Sequence, residues 1–170
     1  MASINLVAPK LVRQSAQYMC WAAVLSSWTH SVPAGSWSDM SQQEIRERVQ
    51  QGGSGGLSAA LRAQGALNIG MLQEFLQARG LEYFGMKVVL LNSLDPAWFY
   101  ITLRDETRWP IFLGYKDPAS SIGFHANFVY GAESDGREVQ VMEPYTGEWK
   151  PKPLSAFSAP YVIGYHFRTG

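Results

Sequence analysis

The chain predicts an α+β fold with its helices in the first half and antiparallel strands in the second, on three observations. Apolar residues recur at helical spacing up to about residue 80. After that point the pattern becomes short apolar runs bounded by turn residues. Helices and strands are thus segregated along the sequence, which argues against a doubly wound parallel sheet. With 170 residues, no internal repeat and no evident linker, a single domain spanning 1–170 is expected, helical over about 1–80 and sheet-forming over about 81–170.

Taken in order, residues 1–18 read as an extended lead-in. A first helix is predicted from about Cys20 to His30, with Trp21, Val24, Leu25 and Trp28 on one face. Ser41, followed three residues later by Glu44, forms a capping-box signature for a second helix that Gly52 ends. Gly52-Gly53-Ser54-Gly55-Gly56 reads as a surface loop, since it lacks the lysine a phosphate-binding loop needs. A third helix is predicted over 68–79, capped by Asn68, stopped by Gly80, and burying Leu72, Phe75 and Leu76. Met86 to Leu91 reads as a buried strand, and Asp95-Pro96 opens a short helix with proline in its first turn. Further strands are predicted at Trp109–Tyr115, His125–Gly131, Glu138–Met142 and Tyr161–Phe167.

Composition excludes several functions. The hydrophobic fraction of 46% and aromatic fraction of 13% fit a packed core. Fourteen basic residues balance fourteen acidic ones, so no nucleic-acid or anionic-lipid partner is indicated. No apolar run reaches the roughly 18–20 residues of a membrane span. Met1 to Lys10 lack the charged and apolar segments of a secretory signal. Cytoplasmic synthesis follows, and any delivery elsewhere would need a signal-peptide-independent system.

Cys20 is the only cysteine, so neither an internal disulfide nor a cysteine-rich zinc site is available, and no metal or cofactor is expected. It is either an inert small hydrophobe or a nucleophile. A nucleophilic cysteine needs a depressed pKa, a base, and donors for an oxyanion. Helix-terminal N–H groups at Cys20 would favour the thiolate. Of the three histidines, His30 lies roughly 15 Å along the same helix at 1.5 Å per residue, out of reach. His166 sits in an aromatic strand near the chain end. His125 opens a strand after the loop Lys116–Gly123 and is the preferred base.

The following hairpin suggests a partner for that base. A three-residue loop Ser134-Asp135-Gly136 would pair Glu133 with Arg137 and set Asn127 opposite Glu143. Glu143 then becomes a diagonal neighbour of His125, placed to orient the imidazole. A two-residue loop would turn it away. Tyr145 would cover the His–Glu contact. Gln14 and the Cys20 N–H would donate to the oxyanion, with Gln17 as the alternative to Gln14. Trp21 or Trp149 would line a cleft, the other tryptophans being core.

Gln14 with Cys20-Trp21-Ala22-Ala23, His125-Ala126-Asn127-Phe128-Val129-Tyr130-Gly131 and Val141-Met142-Glu143-Pro144-Tyr145-Thr146-Gly147 resemble papain-like cysteine proteases. The short bacterial forms are most similar, including secreted effector proteases and double-glycine leader peptidases. This resemblance, over about residues 10–165, implies Cys20 as nucleophile, His125 as base, Gln14 as oxyanion donor and position 143 as the third member. It implies a helical lobe facing an antiparallel sheet across a substrate cleft. Glu143 departs from the family's usual Asp or Asn by one methylene. The residues before Gln14 are too few for the inhibitory propeptide of larger members.

The expected activity is therefore that of a thiol endopeptidase acting on a protein or peptide, with a bacterial effector or toxin role and a cognate inhibitor or immunity protein as its partner. Two alternatives share the residues: a transamidase, acyltransferase or peptidoglycan amidase with the same triad, and an inactive binding module.

Overall fold

A computed structural model of the chain describes residues 4–5, 8–16, 19–31, 39–50, 84–106, 110–120 and 123–166. The predicted third helix, the glycine-rich stretch 52–56, Trp109, Phe167 and Gln17 lie outside the described residues.

Helix α1, Cys20–Ser31, is buried over every residue from Cys20 to Thr29. Its first turn closes through the Ala23 N–H donating to the Met19 carbonyl at 2.9 Å. A helix buried nearly all round belongs inside a fold rather than on it. Helix α2, Gln42–Gln50, begins as the sequence predicts. The Ser41 N–H donates to Glu44 Oε2 at 2.7 Å, and the Glu44 N–H donates to Ser41 Oγ at 3.2 Å. The two reciprocal bonds satisfy N–H groups that a helix start otherwise leaves open.

The sheet contains β1 (Ile4–Asn5), β2 (Met86–Leu91), β3 (Ile111–Lys116), β4 (Phe124–Ala132), β5 (Glu138–Glu143), β6 (Glu148–Pro153) and β7 (Ser158–His166). Its order is β2-β7-β3-β4-β5-β6, with every neighbouring pair antiparallel. Strand β1 pairs with the last residues of β4, beyond the end of β3. Helices packed on an antiparallel sheet make the α+β fold that the segregated pattern predicts. Between β2 and β3 lie α3 (Pro96–Ile101), capped by the Asp95 carboxylate, and a π-helical turn, Thr102–Glu106.

Strand β4 is buried along all nine residues because both its faces are covered. Phe124, Ala126 and Phe128 pack with Trp21, Leu25 and Met142 on the α1 side. Val129 packs with Leu113, Val141, Ile163, Phe99 and Leu103 on the other. Each fully buried Leu or Phe in these layers stabilises by about 1.5–3 kcal/mol relative to exposure.

The β4–β5 hairpin differs from its predicted form at the turn and agrees with it at the far end. The Glu133 N–H donates to the Glu138 carbonyl at 2.9 Å, so the loop has four residues rather than three. Ala132 pairs with Val139 and Gly131 with Gln140, one step off the predicted register. A bulge between Val129 and Gly131 then takes up one extra residue, and Val129 pairs with Val141 and Phe128 with Met142. Extending that ladder sets Asn127 against Glu143, as predicted. Gly136 has the expected positive φ, 66°, and a Cβ there would meet the Pro96 carbonyl oxygen at 2.1 Å. The turn can therefore pack on the start of α3 only as glycine.

Sequence reasoning missed β6. Pro151 and Pro153 demote that run as a strand. They are tolerated because β6 is the last strand of the sheet and needs donors on one side only. The last strand also begins three residues earlier than predicted, at Ser158.

Candidate active site

Cys20 is the first residue of α1, and its sulfur accepts hydrogen bonds from the backbone N–H groups of Trp21 and Ala126. The second donor is the residue after His125, so the helix start sits directly against the beginning of β4. The α1 face of the sheet, rich in Phe and Ala, positions the helix there.

His125 is buried, with its Nε2 2.5 Å from Glu143 Oε1. Burial alone would push the Glu143 carboxyl up. The hydrogen bond and charge of His125, together with the Lys152 ammonium, outweigh it and hold the group well below the usual carboxylate range. An ionised carboxylate has no proton to give, so Nε2 carries the hydrogen of this contact. The other ring nitrogen, Nδ1, is buried and has no hydrogen-bond partner among the described residues.

Every acceptor position of Glu143 is filled. Oε1 also accepts from the Tyr145 N–H at 3.2 Å, and Oε2 accepts from Asn127 Nδ2 at 3.1 Å and Lys152 Nζ at 2.6 Å. Asn127 Oδ1 accepts in turn from the Tyr115 hydroxyl at 3.0 Å and from Lys152 at 3.0 Å. Tyr115 meets the His125 ring edge-on at 5.7 Å between centroids, and Tyr145 stacks on it at 4.0 Å and 4°. The Tyr145 side chain also hydrogen-bonds Ser120 in the loop leading to β4. The expected cover over the His–Glu pair is thus present.

Gln14 lies on the segment leading into α1. Its backbone N–H donates to the Pro144 carbonyl at 2.8 Å, tying it to the turn after Glu143. Its Nε2 donates to the Ala16 carbonyl at 2.8 Å, and the same carbonyl accepts from the Met19 N–H at 3.0 Å. The amide is therefore fixed at the turn that delivers Cys20, and one N–H of Nε2 has no partner among the described residues. Gly147 lets this segment approach, since its φ is 68° and a Cβ would stand 3.0 Å from Arg13 Cβ.

One expectation is corrected. A thiolate was predicted at the helix start, yet Cys20 has no solvent exposure and burial pushes its thiol up to about 12. The N–H donors from Ala126 and Trp21 lower it, but removing the charged form from water dominates. The Glu143 charge adds to the rise. In this closed arrangement the group is a neutral thiol.

The other histidines stand elsewhere. His30 is exposed in the last turn of α1, with Nδ1 2.8 Å from Asp39 Oδ1. The His166 backbone pairs with Met86, at the end of β7 away from the Tyr161–Tyr115 pair that adjoins His125. Trp21 is core, whereas Trp149 is half exposed and donates its indole N–H to the Pro9 carbonyl at 3.0 Å. Lys152, Tyr115 and Asn127 were not anticipated as site residues. The signal for Asn127 was available: an amide in the middle of an otherwise apolar strand needs buried partners.

No protein-family model matches the chain, and no curated protein does. Among solved structures, the chain is similar to the active wild-type interpain A cysteine protease of Prevotella intermedia. The match covers 95% of this chain and 94% of that one, with a TM-score of 0.47 and 13% identity. Among the described residues, no helix is long and apolar enough to cross a membrane, and no group of side chains could hold a metal ion.

Proposed function

We propose that the chain is a papain-like cysteine endopeptidase, with Cys20 as nucleophile, His125 as base, Glu143 as its orienting partner and Gln14 as an oxyanion donor. The observation that carries this reading is the placement of His125. Its Nε2 is committed to a carboxylate, and its Nδ1 is buried without a partner among the described residues, on the residue next to the one whose N–H meets the Cys20 sulfur.

The chemistry follows from that arrangement. As the sulfur attacks a peptide carbonyl, the thiol proton passes to His125 Nδ1 and an S–C bond forms. The second N–H of Gln14 Nε2 and the Cys20 N–H receive the developing oxyanion. The C–N bond breaks as the imidazolium returns its proton to the leaving amine, giving a thioester. Water, deprotonated by His125, then releases the acid and restores the thiol. Because Cys20 and His125 are both shielded from solvent, substrate entry requires the cover over them to part. The raised thiol pKa fits a proton transferred during attack rather than a standing thiolate.

A peptidase of this kind suits a bacterial effector or toxin, restrained in its producer by an inhibitor protein that fills the cleft. The parent and Cys20→Ala are compared by mapping new protein N-termini in a treated proteome. New termini that appear only with the parent support the reading, and identical patterns overturn it. Cleavage of purified cell-wall fragments without any protein cleavage would instead assign the same triad to an amidase.

A further inference from the structure

We propose that Lys152 is a positioning residue for His125, cancelling the charge of Glu143 so that the carboxylate orients the imidazole without trapping it as imidazolium. This rests on the peptidase reading for its consequence, though not for its test.

The ammonium is built into the site. It has three N–H donors, and the structure supplies three acceptors: Glu143 Oε2 at 2.6 Å, Asn127 Oδ1 at 3.0 Å and the Tyr115 hydroxyl at 3.3 Å. The rings of Tyr115 and Phe157 lie 5.7 and 5.6 Å from Nζ. Each partner is itself occupied, so the lysine is held in one place rather than sampling solvent.

A base in this chemistry must accept a proton and then release it to the leaving amine. A lone buried carboxylate on Nε2 would favour the protonated ring, because an opposite charge within about 4–6 Å raises a histidine pKa by roughly 1–3 units. Glutamate at position 143 poses this problem, where a neutral amide would not. Lys152 on the opposite oxygen turns the carboxylate into one half of an ion pair. The other groups against the imidazole are Tyr115 from β3 and Tyr145 from the turn after β5, and Cys20 of α1 meets the N–H of the following residue, Ala126. Asp117 acts on both tyrosines from the loop before β4. Among the described residues, the other cation paired with Glu143 is Lys150, 3.9 Å from Oε2 and more exposed than Lys152.

The experiment follows the His125 ring by NMR against pH in the Cys20→Ala protein, so no reactive thiol takes part. Lys152→Met is expected to raise the titration midpoint by about one unit. Lys152→Arg, which keeps the charge, and Lys150→Met are expected to leave it within about 0.3 unit. Should Lys152→Met fail to fold, Lys152→Gln, which offers Glu143 a donor without a charge, is read the same way. A midpoint that does not move in the uncharged variant overturns the proposal, whether or not the parent cleaves protein. A merely structural lysine would change stability and leave the midpoint in place.

Discussion

His125 Nε2 and Glu143 Oε1 stand 2.5 Å apart, and a one-residue bulge in β4 is what keeps them on the same side of the sheet. Side chains alternate along a strand, so the four-residue turn at 134–137, left uncorrected, would have sent Glu143 to the α1 face. The extra residue at Tyr130 restores the phase.

The length of Glu143 is part of this fit, which predicts how its replacements rank. Glu143→Ala should lower kcat/KM about a hundredfold, equivalent to about 2.7 kcal/mol, because the ring loses its orienting partner. Glu143→Asp should fall nearly as far, since it withdraws by one methylene from a contact already at 2.5 Å. Steady-state kinetics on a peptide cleaved by the parent check the order, with Glu143→Asp closer to Glu143→Ala than to the parent.

Much of this site was legible in the sequence, for reasons that differ by residue. Cys20 and His125 stood out because few residue types perform the proposed chemistry and each lies at the start of an element, and Gln14 because its amide precedes Cys20 on the lead-in. The Glu143 pairing was also anticipated, but through two departures that cancel: the turn is one residue longer than predicted, and the bulge takes up one. Turn length follows from local φ and ψ preferences, whereas the bulge depends on packing against β1 and β5, which no short window encodes. Lys152 was hidden by its flanking prolines, whose meaning reverses once β6 is known to be an edge. The direction of the Cys20 shift was misjudged because helix-terminal N–H groups are visible in sequence and depth of burial is not.

Stability should carry the signature of Glu143 in acid. Its folded-state pKa is depressed below the unfolded value of 4.5, first against the opposing effect of burial, by His125 and then Lys152. Between the two values the unfolded chain binds a proton that the folded chain does not, so acid favours unfolding. The stabilisation is complete above about 4.5 and is lost as the pH falls through the folded value. Urea midpoints should decline below that pH in the parent, and the decline should be shallower in Glu143→Gln.

Asn127 is the hub of the polar cluster, so its removal should damage the fold as well as the site. It is fully buried and joins Tyr115, Lys152 and Glu143. Asn127→Ala leaves a tyrosine hydroxyl without its acceptor and removes one donor from Glu143. The expected loss is about 1–3 kcal/mol, read from the urea midpoint, with Asn127→Asp restoring the acceptor but placing a second carboxylate beside Glu143.

Tyr145 should act through its ring. The stack on His125 at 4.0 Å screens the His–Glu bond from water, while its hydroxyl bonds Ser120. Tyr145→Phe keeps the stack and should retain activity within about twofold. Tyr145→Ala should lower kcat about tenfold, near the upper end of what an aromatic contact contributes. Equal losses in the two variants would assign the effect to the hydroxyl.

The Cys20 thiol offers the most direct check on the closed site. Burial holds its folded-state pKa near 12, above the unfolded value of 9.0. The stabilisation is therefore fully present below pH 9 and is lost as the pH rises towards 12, because the unfolded chain releases a proton that the folded chain keeps. Between pH 9 and 10 the parent should lose about 1 kcal/mol from this group, before tyrosines contribute, and Cys20→Ala should not. Thiolate absorbance, taken as the difference between parent and Cys20→Ala, should be absent from the folded protein at pH 9 and appear on unfolding. Iodoacetamide should correspondingly label Cys20 slowly at pH 6 in the free protein. Fast labelling at that pH would show that the sulfur is already ionised beside His125, and that the closed arrangement is not the one that dominates in solution.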